Sequence, residues 1–424
     1  MKILVVGSGG REHAIIRSLS QSKRVEKIYC TPGNGGISAL AECFDVKATD
    51  IEGMKKLAKQ LAVDYVFVAP DDPLAMGMVD ELNKDGIKTF GPRANAAIIE
   101  SSKVFSKALM KKYGIPTADY EIFESYEKAI EYIKAKNSYP IVIKADGLAL
   151  GKGVIIANDF EEAQQAVNSM LNERKFGDSS KKIVIEEFLS GPEVTVLAFT
   201  DGESVVPMVS SMDHKRAYDD DKGLNTGGMG TIAPNPFYTK EVEKEALEKI
   251  FIPTINAMNK EGRTFRGCLY FGLMITPQGV KVIEYNARFG DPEAQVVLPM
   301  LKTDLVEIME AIWKKRLKDI DVQWHDGACA CVVLASGGYP EKYQTGKEIV
   351  GFNSDGQLDD SSSYVYHAGT VKEGNKYLTN GGRVLGVTCR ASTLSESVEA
   401  AYRACERIKF EKMHFRKDIG KKAL

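Results

Sequence analysis

Residues 282 to 295 read VIEYNARFGDPEAQ. An apolar strand opens the segment and then sets Glu284, Asn286 and Arg288 at every second position. Side chains on a strand alternate between its faces, so these polar groups share one side, and Ile283, Tyr285 and Ala287 are predicted to face a core. A carboxylate and an amide two residues apart suit a hard divalent cation. Mg²⁺ takes oxygen ligands, usually only one or two of them from protein, and keeps room for phosphate oxygens. Arg288, one step further, stands where a transferring phosphoryl group would need positive charge. The alternative, a polar face that meets solvent, fits poorly with the charged turn RFGDPE directly after a hydrophobic strand.

Glycine-rich stretches could serve the same chemistry. YPIVIKADGLALGKGV (139–154) ends a strand at Lys144 and sets Gly147, Gly151 and Gly153 around Lys152. Glycines let backbone N–H groups approach phosphate closely, and the lysines supply charge. It is not a Walker A loop, because the spacing between glycines is one short and Gly153 stands where Ser or Thr is required. A glycine-rich hairpin turn is the competing reading. VVGSGGREHAI turns through Gly7, Gly9 and Gly10 into a helix whose N-terminus can hold an anion, and a side chain at Gly9 would obstruct the backbone or demand an unfavourable φ. The dinucleotide fingerprint fails here: Glu12 replaces its last glycine, and the second strand ends at Cys30 instead of an acidic residue. Phosphate binding and a purely structural turn both stand. EEFLSGPE (186–193) suits a hinge between lobes, where ligands often bind. DHKRAYDDDKGLNTGGMG (213–230) is long for an idle connection and reads as a lid, with a solvated insertion as its competitor.

The elements that must carry these groups follow from periodicity. Residues 1 to 100 alternate short apolar strands (KILVV, KIYC, DYVFVA, KTF) with amphipathic segments at 51–62 and 73–84, the pattern of a parallel α/β unit. A helix-rich connector ends at Gly114 and Pro116. A smaller α+β lobe with antiparallel strands spans about 117–195, with a helix near 160–172. A long helix near 239–260 precedes the opening strand, and from 326 strands and turns dominate before a terminal helix. At ~150 residues per domain, 424 residues suggest three domains, drawn here at 1–101, 102–325 and 326–424. The fold class is α/β and α+β multidomain.

Composition narrows the partners. A formal net charge of −2 gives no electrostatic reason to expect nucleic acid. No apolar run reaches transmembrane length, and MKILVVGSGG reads as a first strand without the features of a signal peptide. Seven scattered cysteines point to reduced thiols and a cytoplasmic location. Cys329 and Cys331 share a strand face, but no His or Cys cluster completes a metal site nearby, so core packing is the better reading. His13 at the start of the first helix either touches substrate or packs there.

Taken together, GSGGREHA, PGNGG, KADGLALGKGV, DHKRAYDDDKGLNTGGMG, EYNARFGDPE, ASGGYPEKYQTG and HAGT make the chain resemble, end to end, the glycinamide ribonucleotide synthetase (phosphoribosylamine–glycine ligase) family of ATP-grasp enzymes. The resemblance implies an N-terminal parallel α/β substrate domain, a two-lobed ATP-grasp unit with ATP between its lobes, and a small β-rich C-terminal domain. It implies ATP-dependent joining of glycine to 5-phosphoribosylamine through a glycyl phosphate, in purine biosynthesis, by a cytoplasmic monomer without nucleic-acid or membrane partners. Carried over by motif, Lys103, Lys144 and the loop with Gly147, Gly151, Lys152 and Gly153 meet phosphates. Glu186, Glu187, Phe188 and Leu189 meet adenine, and Glu193 the ribose. Glu284 and Asn286 hold Mg²⁺ or Mn²⁺, Arg288 stabilises the phosphoryl group, and Asp213 and Lys215 act on the substrate side. Gly9, Gly10, Arg11, Asn34, Asp71, Asn225, Gly227, Gly228 and Asp291 are the implied substrate contacts. The family's GPExPL reads APDDPL here, with Asp71 one methylene shorter than glutamate, and Leu224 replaces a proline in the lid.

Two rival readings differ in class. Another ATP-grasp ligase or carboxylase would share the metal strand but not GSGGREHA or DHKR…NTGGMG. A nucleotide-binding regulatory protein without turnover would tolerate loss of Arg288, which is present.

Overall fold

The computed structural model describes residues 1–148 and 153–424. The first hundred residues form a five-stranded parallel sheet in the order Glu42–Cys43, Lys27–Pro32, Lys2–Gly7, Tyr65–Val68, Lys88–Phe90. Its central strand, KILVVG, is buried on both faces, as a parallel strand covered by helices must be. The strand order reverses between Lys2–Gly7 and Tyr65–Val68. The chain therefore leaves both carboxyl ends beside a crevice, the usual ligand position of an open α/β sheet. The segment expected as one helix at 73–84 is two, Asp71–Ala75 and Met78–Lys84, broken where Gly77 takes φ +89.

The connector folds as Ala94–Ser101 and Lys103–Tyr113. Ser102 separates them and caps the second by accepting from the Phe105 N–H, and Gly114 ends it in the left-handed region at φ +67. A four-stranded antiparallel sheet follows, ordered Tyr120–Phe123, Ile183–Glu187, Ile141–Ala145, Val154–Ala157. The next strand, Glu193–Thr200, was expected to begin within this lobe. It instead pairs with Gly267–Thr276 in a second sheet, completed by Val205–Pro207 and Gly279–Asn286. The SGPE turn is thus the crossing between the two sheets.

The C-terminal sheet is built on Ala328–Ser336, Arg383–Ala391 and Ser363–His367, with Thr393 capping the terminal helix Leu394–Cys405. It also takes in Met212–Asp213 and Gly230–Ala233, the two flanks of the glycine-rich loop. Cys329 and Cys331 lie buried in its core. His13 is fully buried as well: its Nδ1 accepts from the His367 N–H at 2.8 Å, which leaves the proton on Nε2, 3.3 Å from the Tyr364 hydroxyl. It packs the first helix onto the C-terminal sheet. No helix among the described residues is long and apolar enough to cross a membrane.

Phe289, in the turn after the last strand of the second sheet, joins the domains. Its ring lies 6.3 Å from Phe67 and from Phe90 of the parallel sheet and 6.0 Å from Phe199 of the second sheet. Truncating a buried aromatic costs ~3–5 kcal/mol. Phe289→Ala is therefore expected to lower stability by about that amount in chemical denaturation, with Phe289→Leu losing clearly less; equal, small losses for both would show that this junction is not packed as described.

Candidate active site

Gly279–Asn286 runs antiparallel to Gly267–Thr276, with Asn286 opposite Tyr270, Tyr285 opposite Phe271, Glu284 opposite Gly272 and Val282 opposite Leu273. Ile283 has no partner: it is the extra residue of a β-bulge. The bulge shifts the phase of the strand. Val280 and Val282 are buried before it, and Tyr285, Ala287 and Phe289 after it. Tyr285 and Ala287 thus face the core as expected, but Ile283 does not. Its displaced carbonyl accepts from Lys144 Nζ at 3.2 Å. Opposite Glu284, Gly272 leaves room that a Cβ would fill to within 3.0 Å of the Glu284 Cγ.

Burial alone would raise the pKa of Glu284; Lys215, Lys144, Lys103 and Arg288 overcome it and hold the carboxyl below its ordinary range. Each cation is placed by a different device. Lys103 starts its helix, where Asp146 accepts from Ser102 Oγ at 3.0 Å and the Val104 N–H at 2.8 Å, and its Nζ donates to the Gly147 carbonyl at 3.1 Å. Lys144 ends the Ile141–Ala145 strand. Its Nζ and that of Lys107 both stand 3.0 Å from Glu186 Oε2. Burial pulls Lys107 down to about 8 against the pull of Glu186. The other oxygen, Glu186 Oε1, is buried without a hydrogen-bond partner among the described residues. A buried acceptor left open beside an ion pair is available to a ligand that donates to it.

Arg288 is held by Glu100, whose Oε1 lies 2.9 Å from its Nη2 while Oε2 accepts from the Ala287 N–H at 2.7 Å. Nη2 also donates to Asn286 Oδ1 at 3.1 Å, and Nε is buried without a partner among the described residues. Against burial, Glu100, Asp71 and Glu293 hold the guanidinium above its ordinary pKa. Asp71 thus brings the parallel sheet's crevice into the electrostatic reach of Arg288. Glu100 and Lys107 were missed by sequence reasoning. Lys107 lies four residues after Lys103 on one helix face and so carried a signal; Glu100 carried none.

On the opposite side, Asp213 Oδ2 lies 3.7 Å from Lys215 Nζ. Burial and Glu293 push Asp213 up to about 7 against Lys215 and Arg383. Gly228, at φ +115, packs so closely that a Cβ would come within 2.6 Å of Asp213 Oδ1. Asn225 ends the Lys222–Asn225 strand opposite Arg216, and Leu224, beside it, is exposed. Asp291 joins this side to the first helix: its Oδ2 accepts from the Arg11 N–H at 3.3 Å and its Oδ1 from Gln295 at 2.8 Å.

The first glycine loop differs from expectation. Gly9 has φ −89, open to any residue; what crowds it are carboxylates, since a Cβ would lie 2.8 Å from Glu12 and 3.0 Å from Asp291. The Gly9 N–H donates to Glu12 Oε2 at 2.6 Å, Arg11 Nε pairs with Glu12 Oε1, and Gly10 abuts Gln295. Asn34 gives Nδ2 to the Ser8 and His367 carbonyls, and its Oδ1 accepts from the Gly36 and Ile37 N–H groups.

At the crossing between sheets, Glu187 Oε1 accepts from Lys281 at 3.0 Å and from the Asp119 N–H, Phe188 is 41% exposed, and Leu189 and Glu193 follow along the turn. Gly147 lies against Ser179 and Gly153 is buried; Gly151 and Lys152 lie outside the described residues. Among the described residues no group of three or more His, Cys, Asp or Glu side chains converges on one point. Glu284 and Asn286 offer one carboxylate and one amide oxygen, donors of the kind a hard divalent ion takes from protein.

Known proteins have the same organisation. The chain matches the family description of phosphoribosylglycinamide synthetase in its N domain at residues 1–100, its ATP-grasp (A) domain at 101–294 and its C domain at 329–422. The phosphoribosylamine–glycine ligase of Caldanaerobacter subterraneus subsp. tengcongensis is 49% identical over 420 residues, 99% of each chain. That of Clostridium acetobutylicum is 48% identical over 421 residues, 99% of this chain and 100% of the other. The crystal structure of phosphoribosylamine–glycine ligase from Thermotoga maritima is similar with a TM-score of 0.86 at 32% identity, covering 99% of this chain and 100% of that one. The biotin carboxylase domain of Hydrogenobacter thermophilus 2-oxoglutarate carboxylase, solved with MgADP and bicarbonate, shares the fold alone, at TM-score 0.74 and 17% identity over 97% and 91% of the chains. With all three domains matched in order and near-half identity along its length, the chain belongs to the phosphoribosylglycinamide synthetase family of ATP-grasp ligases.

Proposed function

We propose that the protein joins glycine to 5-phosphoribosylamine at the expense of ATP, giving glycinamide ribonucleotide, ADP and phosphate, as a cytoplasmic step of purine biosynthesis. The observation that carries this reading is the ionised carboxylate of Glu284 ringed by Lys103, Lys144, Lys215 and Arg288 in a chain of this family. ADP release from purified protein tests it: release must require glycine and phosphoribosylamine together. Release with bicarbonate, or with either substrate alone, would point to another ATP-grasp reaction.

A carboxylate is a poor acylating agent because oxide leaves badly. When bound, ATP with its divalent ion supplies the phosphoryl group that makes glycine's carboxylate reactive toward an amine. The protein's work is then positioning and charge neutralisation. Lys103 and Lys144 would meet the phosphates. Glu186, Glu187, Phe188 and Leu189 would meet the adenine, and Glu193 the ribose. Glu284 and Asn286 would hold the metal, and the Arg288 guanidinium, fixed by Glu100, would neutralise charge on the transferring phosphoryl group. Gly9, Gly10, Arg11 and Asp71 line the crevice of the parallel sheet on the phosphoribosylamine side. Asp213, beside Asp291 and the 225–228 loop, takes the proton that the amine loses as the C–N bond forms.

Removing Arg288 deletes a charge that acts on the transition state. Arg288→Ala is expected to lower the maximal rate by roughly 10²–10³ with nucleotide affinity little changed; a defect in nucleotide affinity alone would contradict the role. Glu284→Gln keeps the size and removes the charge of one of two metal ligands. The divalent-ion concentration for half-maximal rate should rise by about 10–100-fold in a metal titration, a scale seen even for groups that only support ligands. An unchanged titration would remove Glu284 from the metal site.

Asp213 gives a pH prediction. A carboxyl pushed up to about 7 is protonated below that pH and cannot accept a proton. Activity with respect to the amine should therefore fall as pH drops through about 7, and Asp213→Asn should lose this limb along with most of the rate. A limb that persists in the variant would assign the titration elsewhere.

A further inference from the structure

Two C-terminal segments have no part in this chemistry: ASGGYPEKYQTG, which follows the strand Ala328–Ser336, and GGR, which opens the neighbouring strand Arg383–Ala391. They meet at the glycine-rich loop. The Tyr339 ring packs on Gly382, and its hydroxyl accepts from the Gly227 N–H at 3.1 Å. Arg383 Nη1 donates to the carbonyls of Gly227 at 2.7 Å and Asp291 at 2.6 Å, with Gly228 O at 3.4 Å, and Nη2 lies 3.4 Å from Asp291 Oδ1. Both main-chain groups of Gly227 are thus held by the C-terminal domain.

The rest of the loop is tied from within. Thr226 N–H and Oγ1 both donate to the Lys215 carbonyl, the Gly228 N–H donates to Thr226 Oγ1, and the Met229 N–H donates to the His214 carbonyl. With its flanks in the C-terminal sheet and its tip held by Tyr339 and Arg383, the loop is a clamped wall. That wall presses on the reaction side, because Gly228 touches Asp213 and a Cβ there would come within 2.5 Å of Pro292. Arg383 holds the loop and the Asp291 turn at once, and Asp291 in turn receives the Arg11 N–H.

We propose that Arg383 and Tyr339 are positioning residues that fix the 225–229 loop against Asp213 and Asp291, so that the C-terminal domain sets the geometry of the glycine and amine side of the site. The inference rests on the ligase reading for the identity of the substrates. Among the described residues neither side chain is hydrogen-bonded to Lys103, Lys144 or Glu186, so the clamp is expected to leave nucleotide binding unchanged.

The test compares Arg383→Met, Arg383→Lys and Tyr339→Phe with wild type in substrate titrations, direct nucleotide binding and hydrogen exchange of residues 225–229. Losing charge-assisted bonds that preorganise the loop should raise the Michaelis constant for glycine by roughly tenfold or more in Arg383→Met. Nucleotide affinity should stay within about twofold, and loop exchange should accelerate. Arg383→Lys should recover part of the loss, and Tyr339→Phe, which removes a single hydroxyl, should show a smaller shift of the same kind. Uniform loss toward all substrates with unchanged loop exchange, or no change in Tyr339→Phe if Arg383→Met fails to fold, would overturn the proposal. Wild-type turnover with both substrates checks the ligase reading separately, while loop exchange reports on the clamp whatever the substrates prove to be.

Discussion

Keeping the half-buried Glu284 carboxylate ionised among cations is the constraint on which the site depends. Glu284 stays charged because Lys103, Lys144, Lys215 and Arg288 converge on it, each from a different stretch of chain. Four cations around so few anions are themselves unfavourable: burial lowers Lys103, and Lys144 lowers it further. The protein balances them with Glu186 beneath the lysines and Glu100 beneath Arg288, both inside ion pairs. What remains is an excess of positive charge, suited to phosphate.

Holding these groups in place requires all three domains. The parallel sheet offers its switch-point crevice and Asp71, the Phe67, Phe90, Phe199 and Phe289 rings join that sheet to the strand bearing Glu284, and the C-terminal sheet takes the flanks of the glycine-rich loop as its own strands. The turn RFGDPE is the common node. Arg288 joins the cations near Glu284, Phe289 enters the core, and Asp291 contacts both Arg11 and Arg383.

Much of this was legible in the residues. The alternation of Glu284, Asn286 and Arg288 marked one polar face, and the motif order carried the family and its domain arrangement. The bulge at Ile283 was not legible, because a bulge is defined by the partner strand, and VIEYN alternates plausibly without one. Glu100 looks like any helical glutamate until Arg288 is brought to it from 188 positions away in the chain. The same holds for Met212–Asp213 and Gly230–Ala233, short segments joined to their sheet through the Ala328–Ser336 strand about a hundred residues later. At Gly9 the need for glycine was legible but its cause was not: the backbone is ordinary, and it is the Glu12 and Asp291 carboxylates that leave no room.

If the charge around Glu284 exists to neutralise a phosphoryl group moving onto glycine's carboxylate, an oxygen of that carboxylate must leave with the phosphate. Turnover of glycine carrying ¹⁸O in both carboxylate positions, followed by mass analysis of the products, reads this directly. One labelled oxygen in each phosphate released is the predicted result. Phosphate free of label would contradict the account.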